Sequence, residues 1–123
     1  METVFGKILR GELPCHKIWE DEDHLAFLDI RPLQPGHCLL IPKKAHDYLF
    51  DVPGTEYREL WAAAYKVADL LKKATGCRRV AIIAAGYEVA HCHVHLVPTN
   101  AESDIIPPVF THPTDGELAE VAR

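Results

Sequence analysis

Apolar residues recur at helical spacing in two parts of the chain. The first is a short cluster that ends before Gly11 and consists of Val4, Phe5, Ile8 and Leu9. The second is a long stripe between Thr55 and Gly76, which suit the N-cap and the position just past the C-terminus. Its members are Leu60, Trp61, Ala64, Val67, Ala68 and Leu71. The pattern predicts a short N-terminal helix and one long helix over residues 56–75.

Five runs predict strands because they are short, largely apolar and bounded by turn residues. Three of them precede the long helix and two follow it, over residues 15–20, 25–30, 37–42, 80–85 and 89–97. Strands that follow one another directly and a single packed helix favour an antiparallel α+β sheet over a series of βαβ units.

The 123 residues are enough for one domain, with a core over residues 4–98 and a proline-broken tail of uncertain order over residues 99–123. A net charge of −5 without a basic cluster excludes a nucleic-acid platform as the default. No apolar stretch is long enough to span a membrane. The N-terminus lacks the pattern of a secretory leader, and the four cysteines include no Cys-x-x-Cys pair. We therefore expect reduced thiols and a cytoplasmic location.

Histidine is the unusual part of the composition, because there are eight and three of them alternate within residues 89–98. On a strand, alternate side chains project on the same face, so His91, His93 and His95 are expected about 6.6–6.8 Å apart on one side. The residues between them are expected to face the core: Cys92, Val94 and Leu96.

Three kinds of site are compatible with this spacing. Imidazoles that are simply solvated or satisfied within the fold need no further chemistry. A metal site is the second interpretation, because neutral imidazole is a common metal ligand. The third histidine, however, lies too far along a straight strand to reach the same ion easily. The last is nucleophilic and acid–base catalysis, in which one imidazole attacks while its neighbours orient it and move protons.

The pattern His-φ-His-φ-His-φ-φ, with φ apolar, is the signature of the histidine triad (HIT) family of nucleotide hydrolases and transferases. Residues 91–97 resemble it, and the resemblance extends from Val4 to about Pro98. Other parts that carry it are residues 4–8, 11–14, 20–23, 26–30 and 35–44. It implies a HIT-like fold with about five antiparallel strands, one long helix and one short N-terminal helix, paired as a homodimer.

The resemblance also implies attack on the α-phosphorus of a purine nucleotide conjugate, as in the branch of the family that cleaves nucleoside phosphoramidates. His93 matches the family's nucleophile, which forms a covalent nucleotidyl-histidine. His95 matches the histidine that contacts phosphate oxygens, while His91 and His37 match the pair that orients the nucleophile. Two alternatives stay open: a dinucleoside polyphosphate hydrolase or phosphorylase, and a non-catalytic nucleotide-binding module.

The rest of the expected substrate site follows from the same resemblance. Asp29 matches the acid that accepts both ribose hydroxyls, a task that suits the two oxygens of a carboxylate. Backbone N–H groups around Gly86 and Glu88 are expected to hold the α-phosphate, and Glu88 stands where some members have a Ser or Thr that donates to the leaving group. The apolar walls of the base pocket are expected from Val4, Phe5, Ile8, Phe27, Leu28 and Ile30.

The chain departs from the family pattern in two regions. Tyr87 stands where many members have glutamine, and no asparagine precedes it. Zinc-carrying members have a Cys-x-x-Cys near the start and a histidine after the two lysines, whereas this chain has no cysteine in residues 3–6 and has Ala45 after Lys44. We therefore expect neither a metal nor a cofactor. The remaining histidines are expected at the surface: His16, His24, His46 and His112.

Overall fold

A five-stranded antiparallel sheet forms the centre of the computed structural model, which describes residues 2–105 and 112–123. The strands are β1 (Lys17–Glu20), β2 (His24–Leu28), β3 (Cys38–Pro42), β4 (Arg79–Ile83) and β5 (Val94–Thr99). Their order across the sheet is β1-β2-β3-β5-β4, and every neighbouring pair is antiparallel. The predicted α+β class and the five-stranded sheet are confirmed.

Within the part of the chain that the structure describes, three α-helices accompany the sheet: α1 (Val4–Leu9), α2 (Gly54–Thr75) and α3 (Asp115–Ala122). The same residues include two short 3-10 helices, Leu49–Asp51 and Glu102–Asp104. Helix α3 was not predicted from the sequence, although Thr114 and Glu117 form a capping box at its start. Residues 106–111 of the expected tail lie outside the described residues. Among the described helices, none has both the length and the apolarity needed to cross a bilayer.

The long helix α2 begins one residue earlier than its expected cap. Thr55 lies inside the helix, and Pro53 occupies the N-cap position with no side-chain hydrogen bond. The carbonyl of Pro53 accepts the amide of Tyr57 at 2.8 Å, so the fixed φ of proline starts the first turn instead. Gly76 ends the helix with φ +70°, as the sequence predicts, because this left-handed conformation carries little penalty for glycine.

The sheet buries a different core on each face. One face packs against α2, and its buried side chains include Ala26, Leu40, Leu60, Val67, Val94 and Leu96. The opposite face is covered by α1 through Phe5, whose neighbours are Leu25, Phe27, Leu39 and Ile41. Cys92 joins the α2 side, as the alternation of the sequence predicts. The histidines of the motif are thereby directed to the side of α1.

Strand β5 begins at Val94, five residues later than predicted. Its ladder with β3 ends at the pair Leu40 and Val94, two residues before Pro42, which ends β3 and has no N–H to donate. The carbonyl of Pro42 instead accepts Nε2–H of His91 at 2.8 Å. His91 and His93 therefore lie on a segment that precedes the strand, and only His95 lies on the strand itself.

Candidate active site

His93 is held by its own backbone neighbourhood. Its Nδ1 lies 2.8 Å from the carbonyl oxygen of His91, and the side chain is almost fully buried. A carbonyl oxygen can only accept, so Nδ1 carries the proton and Nε2 keeps its lone pair. The ring of Phe5 stands edge-on to His93 with centroids 5.0 Å apart and fixes the plane of the imidazole. His93 thus presents an unprotonated nitrogen in a defined direction.

A second chain of hydrogen bonds sets the proton positions of His37 and His95. The amide of Leu33 donates to Nδ1 of His37 at 2.9 Å, so the proton of neutral His37 resides on Nε2. Nε2 of His37 lies 3.0 Å from Nδ1 of His95, which accepts that proton. The proton of His95 is consequently on Nε2. A single backbone amide therefore decides which nitrogen of His95 can donate.

Three imidazoles of this site, those of His37, His91 and His95, are neutral at pH 7. Burial lowers the pKa of His37, His91 and His95 because an imidazolium loses its hydration there. The carboxylate of Asp29 raises the pKa of His37 and His95, but burial is the larger effect. Each neutral ring has one donor and one acceptor, as the hydrogen bonds described above require.

A pocket of about 470 Å3 opens between α1, the start of the β2–β3 loop and the segment before β5. His93 and His95 lie in its wall together with Asp29 and Glu88. The other lining residues are mostly apolar: Val4, Phe5, Ile8, Leu13, Pro14, Cys15, Phe27, Leu28, Ile30, Arg31, Leu39 and Val89. The volume and the mixture of apolar walls with a few polar groups are typical of a small-molecule site.

Asp29 lies between the pocket and the histidines. Its Oδ1 accepts the amide of Arg31 at 2.9 Å, which fixes the plane of the carboxylate. Its Oδ2 lies 3.5 Å from Nε2 of His37 and 3.8 Å from Nδ1 of His95. Each carboxylate oxygen has two lone pairs, so both keep capacity for a donor from a ligand.

Comparison with known proteins agrees with this arrangement. The family model for the HIT domain matches residues 10–102, which is three quarters of the chain and includes the histidines of the pocket. The chain belongs to the HIT family.

Several relatives of this HIT domain have names or solved structures. The adenylylsulfatase HINT3 of Arabidopsis thaliana is 35% identical over 79% of this chain and 52% of its own length. A solved protein of Streptococcus mutans has 38% identity and a TM-score of 0.81, over 97% of this chain and 82% of the other. A HIT family hydrolase of Legionella pneumophila has 37% identity and a TM-score of 0.68, over 78% and 91%.

The hydrogen bonds of His91 and His37 in the HIT domain differ from each other. Both residues were expected to orient the nucleophile by hydrogen bonding behind it. The backbone carbonyl of His91 contacts His93, whereas its imidazole fixes the segment to Pro42 of β3. His37 bonds to His95 and not to His93, because register places Leu39 opposite His95 and so brings the start of β3 beside it.

Residues of the loop before the histidines of the HIT domain line two different clefts. Glu88 lines the main pocket and lies 3.4 Å from the guanidinium of Arg31. Gly86 does not line that pocket, contrary to expectation, but lines a smaller cleft with Tyr48 and Phe50 that His93 also borders. Tyr87 is 96% exposed and extends into solvent.

One group of side chains in the HIT domain has the composition of a metal site. The nearest ligand atoms of Asp29, His37 and His95 lie within 4.8 Å of one another. To bind an ion, Nε2 of His37 would need its lone pair, which would move the proton to Nδ1 and against the amide of Leu33. The donor set therefore does not fit a metal ion without a change of this loop.

Two of the four histidines expected at the surface are less exposed than predicted. His24 is buried, and its Nδ1 lies 3.0 Å from Asp21, because β2 places it beneath the start of α2. His46 is partly buried, with Nε2 2.7 Å from Glu56. His16 and His112 are exposed, as predicted. Neither His24 nor His46 lines the main pocket.

The apolar walls expected for the pocket are all present, although Ile30 is 90% exposed and lies at the rim. Sequence reasoning missed other lining residues, among them Leu13, Cys15 and Arg31. Leu13 and Cys15 follow α1 in a stretch without regular structure, so no periodicity marked them. Arg31 follows the expected ribose-binding acid by two residues, and that proximity was the available signal.

Proposed function

We propose that the protein is a nucleotidyl hydrolase or transferase that attacks the α-phosphorus of purine nucleotide conjugates through His93. The observation that carries the proposal is the free Nε2 of His93 at the wall of a pocket of nucleoside size. The apolar walls suit a purine base, and the carboxylate of Asp29 suits the two ribose hydroxyls. A module that only binds nucleotides would not need a buried imidazole, such as that of His93, whose Nε2 lone pair is free at the wall of the pocket.

The reaction proceeds in two displacements at the same phosphorus. The Nε2–P bond forms as the bond from phosphorus to the leaving group breaks, which gives a nucleotidyl-histidine. Water then attacks phosphorus and restores the lone pair of His93. With a phosphoramidate, the nitrogen takes up a proton from solvent as the P–N bond breaks, and it leaves as ammonia. In the second step the oxygen of water ends on phosphorus and its two protons are released to solvent, where ammonia becomes ammonium. Nε2–H of His95 donates a hydrogen bond to the phosphoryl group during both steps.

The named relatives support hydrolysis as the class of reaction. One is an adenylylsulfatase and another is a hydrolase of the same family. Phosphoramidates of adenosine or guanosine are the substrates that we propose for this chain. Dinucleoside polyphosphates differ in the leaving group more than in the groups that surround the phosphorus, so they form the second set to be compared.

The test measures release of AMP from adenosine 5′-phosphoramidate, adenylyl sulfate and the diadenosine polyphosphates. The wild type is compared with His93→Ala and with His16→Ala, which removes an exposed imidazole outside the pocket. We expect His93→Ala to lower the rate at least about a thousandfold and His16→Ala to leave it unchanged. Mass spectrometry of the quenched wild type should detect a nucleotidyl adduct on His93. No turnover of any substrate by the wild type contradicts the proposal, and equal rates in His93→Ala contradict the assigned nucleophile.

The proposal includes a homodimer built on β4 and α2. Strand β4 lies at the edge of the sheet, and Ile82 on it is 41% exposed. The helix α2 adds the half-buried Trp61 and the exposed Tyr65. An edge strand with unpaired backbone groups beside apolar side chains favours pairing with a second copy. Sedimentation velocity should give a dimer for the wild type and a monomer for Ile82→Lys; a monomeric wild type contradicts this part.

A further inference from the structure

The main pocket has little positive charge for a phosphate. The rings of His37 and His95 are neutral at pH 7 because burial lowers the pKa of both. The loop before the histidines carries Tyr87, which is exposed to solvent and brings no positive charge. A bound nucleotide conjugate would therefore bring at least one negative charge into a site whose imidazoles do not compensate it.

Arg31 is the one residue with a permanent positive charge among the described residues that line this pocket. Its backbone is fixed, since its amide donates to Oδ1 of Asp29 at 2.9 Å. Its side chain is 78% exposed and is free to change rotamer. The backbone of Arg31 is thus fixed at the ribose end of the expected site, while its long side chain can move the guanidinium along the rim.

Among the described residues, the guanidinium has one hydrogen-bonding or ion-pair partner, which is Glu88. Nη2 of Arg31 lies 3.4 Å from Oε2 of Glu88, whose side chain is 73% exposed. Glu88 lies in the same wall as His93 and His95, and its charge acts on His95. This pair joins the β2–β3 loop to the loop before β5 across the mouth of the pocket. Exposed pairs of this kind are weak, so a stronger anion can displace the carboxylate.

We propose that Arg31 is a phosphate-binding residue of this pocket and that Glu88 holds it in the free protein until the phosphate of a ligand replaces the carboxylate. The inference rests on the proposed nucleotide site. Guanidinium and phosphate match in geometry and form two charge-assisted hydrogen bonds, whereas the present contact with Glu88 is a single long one. When the phosphate replaces Glu88 as the partner of Arg31, the guanidinium stabilises the bound phosphate. The carboxylate of Glu88 is then released beside the histidines.

Binding of AMP and of adenosine, measured by calorimetry, separates the phosphate from the nucleoside. Arg31→Ala should weaken binding of AMP about tenfold or more and leave adenosine unchanged. Glu88→Gln should increase the affinity for AMP about two- to fivefold, since the carboxylate of Glu88 no longer competes with the phosphate for the guanidinium. In the background of Arg31→Ala, Glu88→Gln should lose this gain. Arg58→Ala, which removes an exposed arginine of α2, is the matched control for net charge.

The outcomes distinguish the two proposals. If the wild type binds neither ligand, the nucleotide site fails and this inference fails with it. Suppose that the wild type binds AMP, and that Arg31→Ala weakens binding of AMP and of adenosine equally or weakens neither. The proposed role of Arg31 is then wrong, while the nucleotide site stands. If Glu88→Gln tightens AMP as much without Arg31 as with it, the exchange of partners is wrong, and the effect of Glu88 is simple repulsion.

Discussion

Nε2 of His37 donates to Nδ1 of His95 across 3.0 Å, and the direction of this bond is set by the amide of Leu33 behind His37. The two imidazoles lie 58 residues apart in the chain, yet neither can change tautomer without the other. In the reaction that we propose, His37 therefore acts through His95, as a positioning residue. Its own ring needs no contact with the substrate for this role.

Replacement of His37 should reveal that dependence. In His37→Leu, Nδ1 of His95 loses its donor and the ring is free to take the wrong tautomer, so we expect kcat to fall about 10- to 100-fold with little change in KM. His37→Gln keeps an N–H donor near the same place and should recover part of kcat. Steady-state kinetics of both variants provide the measurement. Equal losses in the two would indicate that His37 only fills space.

The free energy of unfolding should decrease as pH falls below about 6.5. Burial lowers the pKa of His37, His91 and His95 in the folded state, so the unfolded chain binds more protons in this window. Stability from this source is fully present above the unfolded pKa and is lost toward the lower folded pKa. Urea denaturation at neutral pH and at about pH 5.5 tests the sign. The loss should be smaller in His37→Gln and unchanged in His16→Gln.

Asp29→Asn should weaken recognition of the ribose more than that of the phosphate. An amide has an NH2 donor in place of the second acceptor oxygen, so it cannot accept one hydroxyl of the sugar on each oxygen as a carboxylate does. We expect the affinity for AMP to fall about tenfold and the affinity for the 2′,3′-dideoxy analogue to change little. Competition binding with the two nucleotides measures the difference. An equal loss for both would place the effect of Asp29 on His37 and His95 instead.

Two glycines with positive φ should differ in their response to alanine. Gly76 has φ +70° with open space around an added Cβ, so Gly76→Ala should cost about 1 kcal/mol from backbone strain. Gly36 has φ +91°, and its Cβ would lie 3.1 Å from both Pro98 and Thr75, so Gly36→Ala should cost about 2 kcal/mol or more. Denaturant midpoints give the comparison, and a smaller loss for Gly36→Ala would contradict the packing argument.

Cys15 should be the thiol that reacts first with iodoacetamide. It is partly exposed in the wall of the main pocket, whereas burial raises the pKa of Cys38 to about 12 and of Cys92 to about 11. Mass spectrometry should find single alkylation, and AMP should protect Cys15 if it occupies this pocket. Cys15→Ser is the control, and alkylation of that variant at the same rate would place the reaction elsewhere.

The sequence predicted the faces of the elements better than their ends. Alternation around His93 assigned Cys92, Val94 and Leu96 to the core correctly, because the face on which each side chain lies depends only on the local alternation of the strand. The start of β5 depends on the bond between His91 and Pro42, which are 49 residues apart. Local pattern carries no information about such a contact, so the strand was predicted too long.

The same limit applied to the site. The motif and the family resemblance identified the histidines and Asp29, and the pocket brings His93, His95 and Asp29 together. The partner of His37 depends on the register between β3 and β5, and the burial of His24 depends on where α2 begins. Both are properties of tertiary packing, which residue types and spacing do not determine.

The contact of Phe5 has a consequence for the order in which the molecule assembles. A helix of six residues is not stable alone, so α1 forms as it docks on the sheet. Its ring then packs at once against Phe27 in the core and against the edges of His91 and His93. Under the proposed function, the active arrangement of His93 thus depends on docking of the N-terminal segment. A fusion or truncation there would reduce turnover before it unfolds the sheet.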